Sequence, residues 1–142
     1  IGMGGHRAEQ LLLGTAATES MCGANSKQIN GPACGIYQIE PTTETDIFDN
    51  FLRYRKDLDI KIAALMSRHP ERDLITNLAY QTAIARLVYW RAPDPLPQLN
   101  DVLGMAVYWK KHYNTFKGAG KEVEFVSHYN RMISNKVRYE IS

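Results

Sequence analysis

The sequence lacks most of the features that assign a chain quickly to a functional class. Its 142 residues include only two cysteines and four histidines, and the histidines are scattered without the short spacing that metal ligands use. No apolar run approaches the roughly 18 residues that span a bilayer, and the first residues lack the charged-then-apolar pattern of a secretory signal. These shortages predict no metal or other cofactor, no histidine-activated nucleophile and no membrane insertion.

The chain also has little net charge. A formal charge of +2 at pH 7 is far from the dense Lys and Arg patches of proteins that bind nucleic acid, so no nucleic-acid partner is expected. The mild positive charge instead suits an anionic polymer such as a cell wall. A hydrophobic content of 44% predicts one globular domain over residues 1–142, with one continuous core.

The two cysteines, Cys22 and Cys34, bracket a stretch rich in glycine, asparagine, serine and proline. This composition predicts a loop. Two interpretations of the pair remain open. A disulfide would tie down the loop in an oxidising compartment and stabilise the fold by roughly 3 kcal/mol; alternatively, both residues are reduced thiols.

A glutamate stands on an apolar helical stripe just before this loop. Leu12, Ala16 and Glu19 follow one another at i, i+4 and i+7, which predicts a helix from about His6 to Ser20 with Glu19 on its core-facing side. Burying a carboxylate is costly unless the group is paired or used. Glu19 is therefore the first candidate for a functional residue.

The segment "GIYQI" after the loop alternates like a strand. Ile36 and Gln38 would share one face and Tyr37 and Ile39 the other, as in one strand of a small hairpin that Pro41 closes. The remaining apolar spacing predicts helices at about 43–52, 57–69, 74–90, 102–112 and 123–133. The predicted fold class is thus α+β, predominantly α-helical, with the long helix at 74–90 in the centre and a proline-rich connector at 92–98.

The order of these motifs resembles a known superfamily. Glu19-Ser20, followed after a loop by "GIYQIEP", is similar to the soluble lytic transglycosylase and goose-type lysozyme branch of the lysozyme-like superfamily. The segments "RLVYWRAPDPLP" and "YWKKHYNTFKGAGKEVEFV" resemble the lysozyme-like modules of bacteriophage virion-associated proteins and endolysins. The resemblance implies a lysozyme-like fold with its hairpin near the active-site cleft, and cleavage of peptidoglycan glycan strands. It also implies a location in the phage virion or in the host periplasm or cell wall, as part of a larger virion protein.

The resemblance also implies site residues. Glu19 matches the catalytic general acid and Ser20 the serine that supports it, while Gly35 and Gln38 match the strand that floors the sugar site, with Tyr37 between them. In this family, a Tyr-Asn motif also lies near the catalytic glutamate.

Two pairs compete for the Tyr-Asn motif. Tyr113-Asn114, with Gly118 after it, matches best, although the expected small residue and glycine are displaced; Tyr129-Asn130 is the rival. For tyrosines in general, packing with a satisfied hydroxyl is the commoner role. The same alternative, core or sugar-stacking surface, holds for Tyr89, Trp90, Tyr108 and Trp109.

Cleavage of a glycosidic bond requires a proton on the leaving oxygen. Burial on an apolar face should raise the pKa of Glu19 and keep it protonated near neutral pH. A hydrolase usually needs a second carboxylate, for which Glu40, Glu44 and Asp46 are candidates, but the start of a helix or a solvent-facing position would also explain them. The transglycosylase branch needs only one glutamate, so that route fits the sequence more economically.

Two other functions are consistent with the same residues. A catalytically silent wall-binding or virion structural module would keep the fold, and the displaced Tyr-Asn motif favours it. Alternatively, the same acid could cleave chitin, another β-1,4-linked aminosugar polymer.

Overall fold

The computed structural model describes residues 2–24, 32–115 and 118–134. Over these residues the protein is predominantly α-helical, as the sequence predicts. The α-helices of this part are α1 (His6–Ser20), α2 (Pro41–Asn50), α3 (Lys56–Ala63), α4 (Asp73–Thr76), α5 (Leu78–Trp90), α6 (Val102–Trp109) and α7 (Glu122–Tyr129). Turns of 3-10 helix follow α2 at Leu52–Tyr54 and precede α4 at Pro70–Arg72, and π-helical turns extend α6 at Lys110–Asn114 and α7 at Asn130–Ser134.

Helix α1 has the bounds that its apolar stripe predicts. It ends because Met21 and Cys22 both take left-handed backbone angles, with φ of 53° and 56°. Their amides donate to the carbonyls of Ala17 and Ala16, at 3.1 and 3.0 Å, which satisfies the last turn of the helix. The buried side of α1 packs against α5, α6 and α7, so the end of α1 lies beside the core.

Helix α5 is largely buried, but it begins later than predicted. The apolar spacing from Leu74 suggested one continuous helix, whereas Asn77 interrupts it with an extended conformation. The Asn77 side chain accepts a hydrogen bond from the amide of Tyr80 at 3.1 Å and donates to the carbonyl of Leu65 at 2.7 Å. Asparagine is more favourable at an N-cap than inside a helix, so the helix begins after Asn77.

Helices α2 and α3 also differ from their predicted bounds. Helix α2 begins at Pro41 instead of Thr43, because proline is well suited to the first helical position. Helix α3 stops at Ala63 instead of continuing to His69. Beyond it, the buried carboxylate of Asp73 accepts hydrogen bonds from the amide and the hydroxyl of Ser67, at 3.0 and 2.5 Å, which holds this segment in a non-helical turn.

The predicted strand at "GIYQI" is wrong. Residues 35–38 form a turn that is closed by a single antiparallel bridge between Cys34 and Ile39, and no strand or hairpin occurs within the described ranges. Gly35 and Gln38 have positive φ, 74° and 49°, which interrupts an extended chain. The amide of Ile36 is bound by a side chain, Gln81 Oε1 at 3.1 Å, instead of a second strand.

Cys22 and Cys34 are not joined by a disulfide in the structure. The thiol of Cys34 donates to the carbonyl of Pro32 at 3.1 Å. The structure therefore has the reduced state, the second of the two interpretations. Most of the segment between the two cysteines, residues 25–31, lies outside the described residues.

The buried apolar side chains form one cluster that draws on most of the helices. Its largest fully buried members include Trp109, Tyr80, Tyr89 and Phe125. Among the residues that the structure describes, no helix is both long and apolar enough to cross a membrane.

Candidate active site

Glu19 lies partly buried in the last turn of α1, where it meets the indole of Trp109. Trp109 Nε1 donates a hydrogen bond to Glu19 Oε1 at 2.9 Å. Burial raises the pKa of Glu19 from 4.5 to about 7, while the hydrogen bond from Trp109 acts in the opposite direction. The carboxyl can therefore both donate and accept a proton near neutral pH.

Two tyrosines extend the surroundings of this carboxyl. Tyr113 follows Trp109 by four residues, a spacing that keeps the two side chains on roughly one face of the helix, and its ring stacks on that of Tyr89 with centroids 5.2 Å apart. Burial raises the pKa of both tyrosines well above the ordinary value, and the charge of Glu19 adds to the shift in each. We call Tyr89, Trp109 and Tyr113 the aromatic wall of Glu19.

Hydrogen bonds fix the two tyrosines of the aromatic wall. The Tyr113 hydroxyl donates to the backbone carbonyl of Tyr37 at 2.7 Å. The Tyr89 hydroxyl is 2.7 Å from Thr15 Oγ1, one turn before Glu19 in α1. The aromatic wall thus connects α1 to the turn at residues 35–38, and it brings the predicted residues Tyr37 and Tyr113 to the neighbourhood of Glu19.

Ser20 joins the end of α1 to that turn. Its hydroxyl donates to the carbonyl of Ile36 at 2.5 Å and accepts from the amide of Gly23 at 3.0 Å. One buried hydroxyl thus holds both chain segments that follow Glu19, whereas the support of the acid that the resemblance implies for Ser20 stays a prediction.

We expect Ser20→Ala to lower the free energy of unfolding by about 1–3 kcal/mol, because the Ile36 carbonyl loses this donor and the Gly23 amide keeps its 3.2 Å bond to the Ser20 carbonyl but loses the hydroxyl acceptor. Denaturant unfolding measures the loss. Thr18→Ala is the matched control, since the hydrogen bond that the Thr18 hydroxyl makes among the described residues lies within α1, to the carbonyl of Gly14 at 2.7 Å. Equal losses in the two variants would contradict the role given to Ser20.

The predicted residues Gly35 and Gln38 sit in the turn rather than on a strand. The side-chain amide of Gln38 donates to the carbonyl of Gly35 at 2.8 Å, so it braces the turn from inside. Gly35 approaches the neighbouring chain so closely that a Cβ would lie 2.3 Å from the carbonyl oxygen of Leu74. Both residues shape the turn whose carbonyls bind Ser20 and Tyr113.

The three candidates for a second carboxylate have other partners. Glu40 is exposed at the N-cap of α2. Glu44 accepts a hydrogen bond from the hydroxyl of Tyr80. Asp46 forms an ion pair with Arg91 at 2.8 Å and accepts from Asn50 at 2.6 Å, and these hydrogen bonds lower its pKa. Among the contacts of the described residues, none of the three touches Glu19.

The two Tyr-Asn pairs have different surroundings. Asn114 Oδ1 accepts from Lys110 Nζ at 2.7 Å, and the same ammonium group donates to the carbonyl of Gly118 at 2.9 Å. Asn114 thus braces its own loop, whereas Tyr113 faces the site. The rival Tyr129 is buried against Phe125, with ring centroids 6.3 Å apart, and Asn130 is exposed.

Sequence reasoning missed the contact between Trp109 and Glu19. It weighed Trp109 only as core or as a sugar-stacking surface, and the structure places it in the core with 1% of its surface exposed. A signal was available, because a buried indole N–H needs an acceptor and Trp109 stands four residues before the candidate Tyr113. Within the described residues, no group of three or more His, Cys, Asp or Glu could hold a metal ion.

Comparisons of the chain with protein families, with curated proteins and with solved structures gave no match.

Proposed function

We propose that the chain is a peptidoglycan-cleaving muramidase of lysozyme-like fold, with Glu19 as its general acid. The observation that carries the proposal is the environment of Glu19, a partly buried carboxyl with a pKa of about 7 beside a buried indole. A general acid works best when its pKa lies near the working pH. The sequence resemblance supplies the substrate, the MurNAc-GlcNAc β-1,4 bond of glycan strands, and the setting, a phage virion or the wall of its host.

The surroundings of the other candidate carboxylates favour a route in which Glu19 is the one catalytic carboxylate. In that route, Glu19 first gives its proton to the glycosidic oxygen, and the resulting carboxylate then takes the proton of the muramic C6 hydroxyl as this oxygen closes onto C1. The product is a 1,6-anhydro sugar, formed without water. The route is favoured because it needs only one carboxylate, and because hydrogen bonds from Tyr80 and Arg91 hold Glu44 and Asp46, two of the candidates for activating a water.

Mass spectrometry of the fragments released from purified peptidoglycan tests the proposal. We expect wild-type protein to release fragments with anhydro-muramyl ends, lighter by one water than reducing ends, and we expect release by Glu19→Gln to be about a thousandfold slower. Glu9→Gln is the matched control, because Glu9 lies on the same helix with its side chain 63% exposed and paired with His6. Reducing ends that depend on Glu19 would keep the muramidase but contradict the one-carboxylate route.

A second candidate function is a catalytically silent wall-binding or virion module. The observation in its favour is that Asn114 braces its own loop through Lys110 and Gly118 instead of facing Glu19. This module would bind purified wall without releasing fragments, in wild-type protein as in Glu19→Gln. Release of fragments by wild-type protein alone would exclude it.

A further inference from the structure

The hydrogen bond between Trp109 and Glu19 has a fixed direction. An indole N–H donates and cannot accept, and Trp109 Nε1 lies 2.9 Å from Glu19 Oε1. Oε1 must therefore act as an acceptor whether the carboxyl is protonated or ionised. The carbonyl oxygen of a protonated carboxyl is a stronger acceptor than its hydroxyl oxygen, so this contact favours the hydrogen on Oε2 when Glu19 is protonated.

Packing fixes the position of the Trp109 indole, so the indole does not move with the Glu19 carboxyl. Trp109 is 1% exposed, and its ring packs against that of Phe125 with centroids 5.7 Å apart. On another side the chain comes so close that a Cβ at Gly120 would lie 2.6 Å from Trp109 Cη2. The indole thus provides a fixed donor, and the Glu19 side chain at the end of α1 orients toward it.

We propose that Trp109 is a positioning residue that holds Oε1 of Glu19 and leaves Oε2 as the oxygen that carries the proton to the substrate. The catalytic consequence rests on the function proposed above. The contact itself is a feature of the fold, with Trp109 Nε1 2.9 Å from Glu19 Oε1, and does not rest on that function.

The same hydrogen bond sets the acidity of Glu19. An N–H···O bond becomes charge-assisted and stronger when the carboxyl ionises, so the indole favours the carboxylate and opposes the effect of burial. Loss of the indole nitrogen should therefore raise the pKa of Glu19. A tryptophan that merely filled space would have the opposite effect when truncated, because water entering the gap would lower this pKa.

NMR of the indole N–H group tests the contact directly. The chain has two tryptophans, and Trp90→Phe removes the one that is 40% exposed, leaving Trp109 as the source of a single indole signal. We expect this signal to shift with pH around a midpoint of about 7, and to lose that titration when Glu19→Gln is added. A signal that does not titrate, or that titrates equally in both proteins, would overturn the proposal.

The pH dependence of wall cleavage tests the catalytic consequence. Activity should fall as pH rises through the pKa of Glu19, and Trp109→Phe should move this alkaline limb upward by about half a pH unit or more. Trp90→Phe is the control and should leave the limb in place. A limb that does not move, or that moves downward, in Trp109→Phe would overturn the positioning role.

The two experiments separate this inference from the proposed function. If the indole signal titrates with Glu19 while no wall is cleaved, the proposed function fails and the contact stands. If the wall is cleaved in a Glu19-dependent way but the indole does not titrate, the inference about Trp109 fails alone. Should Trp109→Phe not fold, the NMR titration in Trp90→Phe still decides, because it keeps Trp109 in place.

Discussion

Glu19→Gln is expected to lower the rate of wall cleavage by about a thousandfold, within the range that a general acid contributes. Glutamine keeps the shape and can still accept the hydrogen bond from Trp109 Nε1, which is 2.9 Å from Oε1 in the wild-type protein, but it has no acidic proton. Release of soluble fragments from purified peptidoglycan measures the loss, with Glu9→Gln as the control. Cleavage by Glu19→Gln at the wild-type rate would exclude Glu19 as the acid.

The same substitution should make the folded protein more stable at alkaline pH. Folding raises the pKa of Glu19 from 4.5 to about 7, so the folded state holds this proton more tightly than the unfolded state. The stability that comes from the neutral form is complete below pH 4.5 and declines until the pH exceeds about 7. Glutamine stays neutral, and so it avoids this decline.

Between pH 4 and pH 8, the unfolding free energy of Glu19→Gln should rise by about 2 kcal/mol relative to that of the wild-type protein. This figure allows for the partial exposure of Glu19. Denaturant unfolding of both proteins at the two pH values measures it. Titrations of other groups cancel in the difference between the two proteins. A difference that is the same at both pH values would contradict the raised pKa, whatever the protein's function.

Gly35→Ala is expected to have the largest effect on stability. Gly35 has a φ of 74°, and an added Cβ would lie 2.3 Å from the carbonyl oxygen of Leu74 and 2.4 Å from Gln81 Oε1. The first neighbour is backbone at α4, and the second is the acceptor of the Ile36 amide. The turn must therefore move, at a cost of about 3–5 kcal/mol from backbone strain and overpacking together.

Thermal or denaturant unfolding measures the cost of Gly35→Ala. Gly4→Ala is the matched control, because none of the described residues lies within 4 Å of the added Cβ at that position and no left-handed φ is required there. A Gly35→Ala protein as stable as Gly4→Ala would show that the turn adapts easily.

Local sequence patterns predicted the end of α1 well. Leu12, Ala16 and Glu19 repeat at the helical period, and this repeat was sufficient to place Glu19 on the core-facing side with a raised pKa. The partner of the carboxyl could not be predicted in the same way. Trp109 is 90 residues away in the chain, and periodicity says nothing about which distant side chains meet.

The turn at residues 35–38 shows a second limit of prediction from local sequence. The short apolar segment Gly35–Ile39 was predicted to be a strand whose side chains alternate between two faces, but a run this short also fits a turn when glycine supplies a positive φ. The deciding contacts came from elsewhere in the chain, since Gln81 binds the Ile36 amide and Ser20 binds its carbonyl. Asn77 likewise ended one predicted helix through a contact with Leu65.

The raised pKa of Glu19 sets the fraction of time for which its carboxyl is protonated. At pH 7, a carboxyl with a pKa of about 7 carries its proton for about half of the time, whereas an ordinary glutamate with a pKa of 4.5 would carry it for roughly one part in 300. Each molecule therefore alternates between an acid and a base form with similar dwell times. At neutral pH, a large share of a population of these proteins therefore holds the proton that a general acid needs, whereas an ordinary glutamate would leave almost every molecule without it.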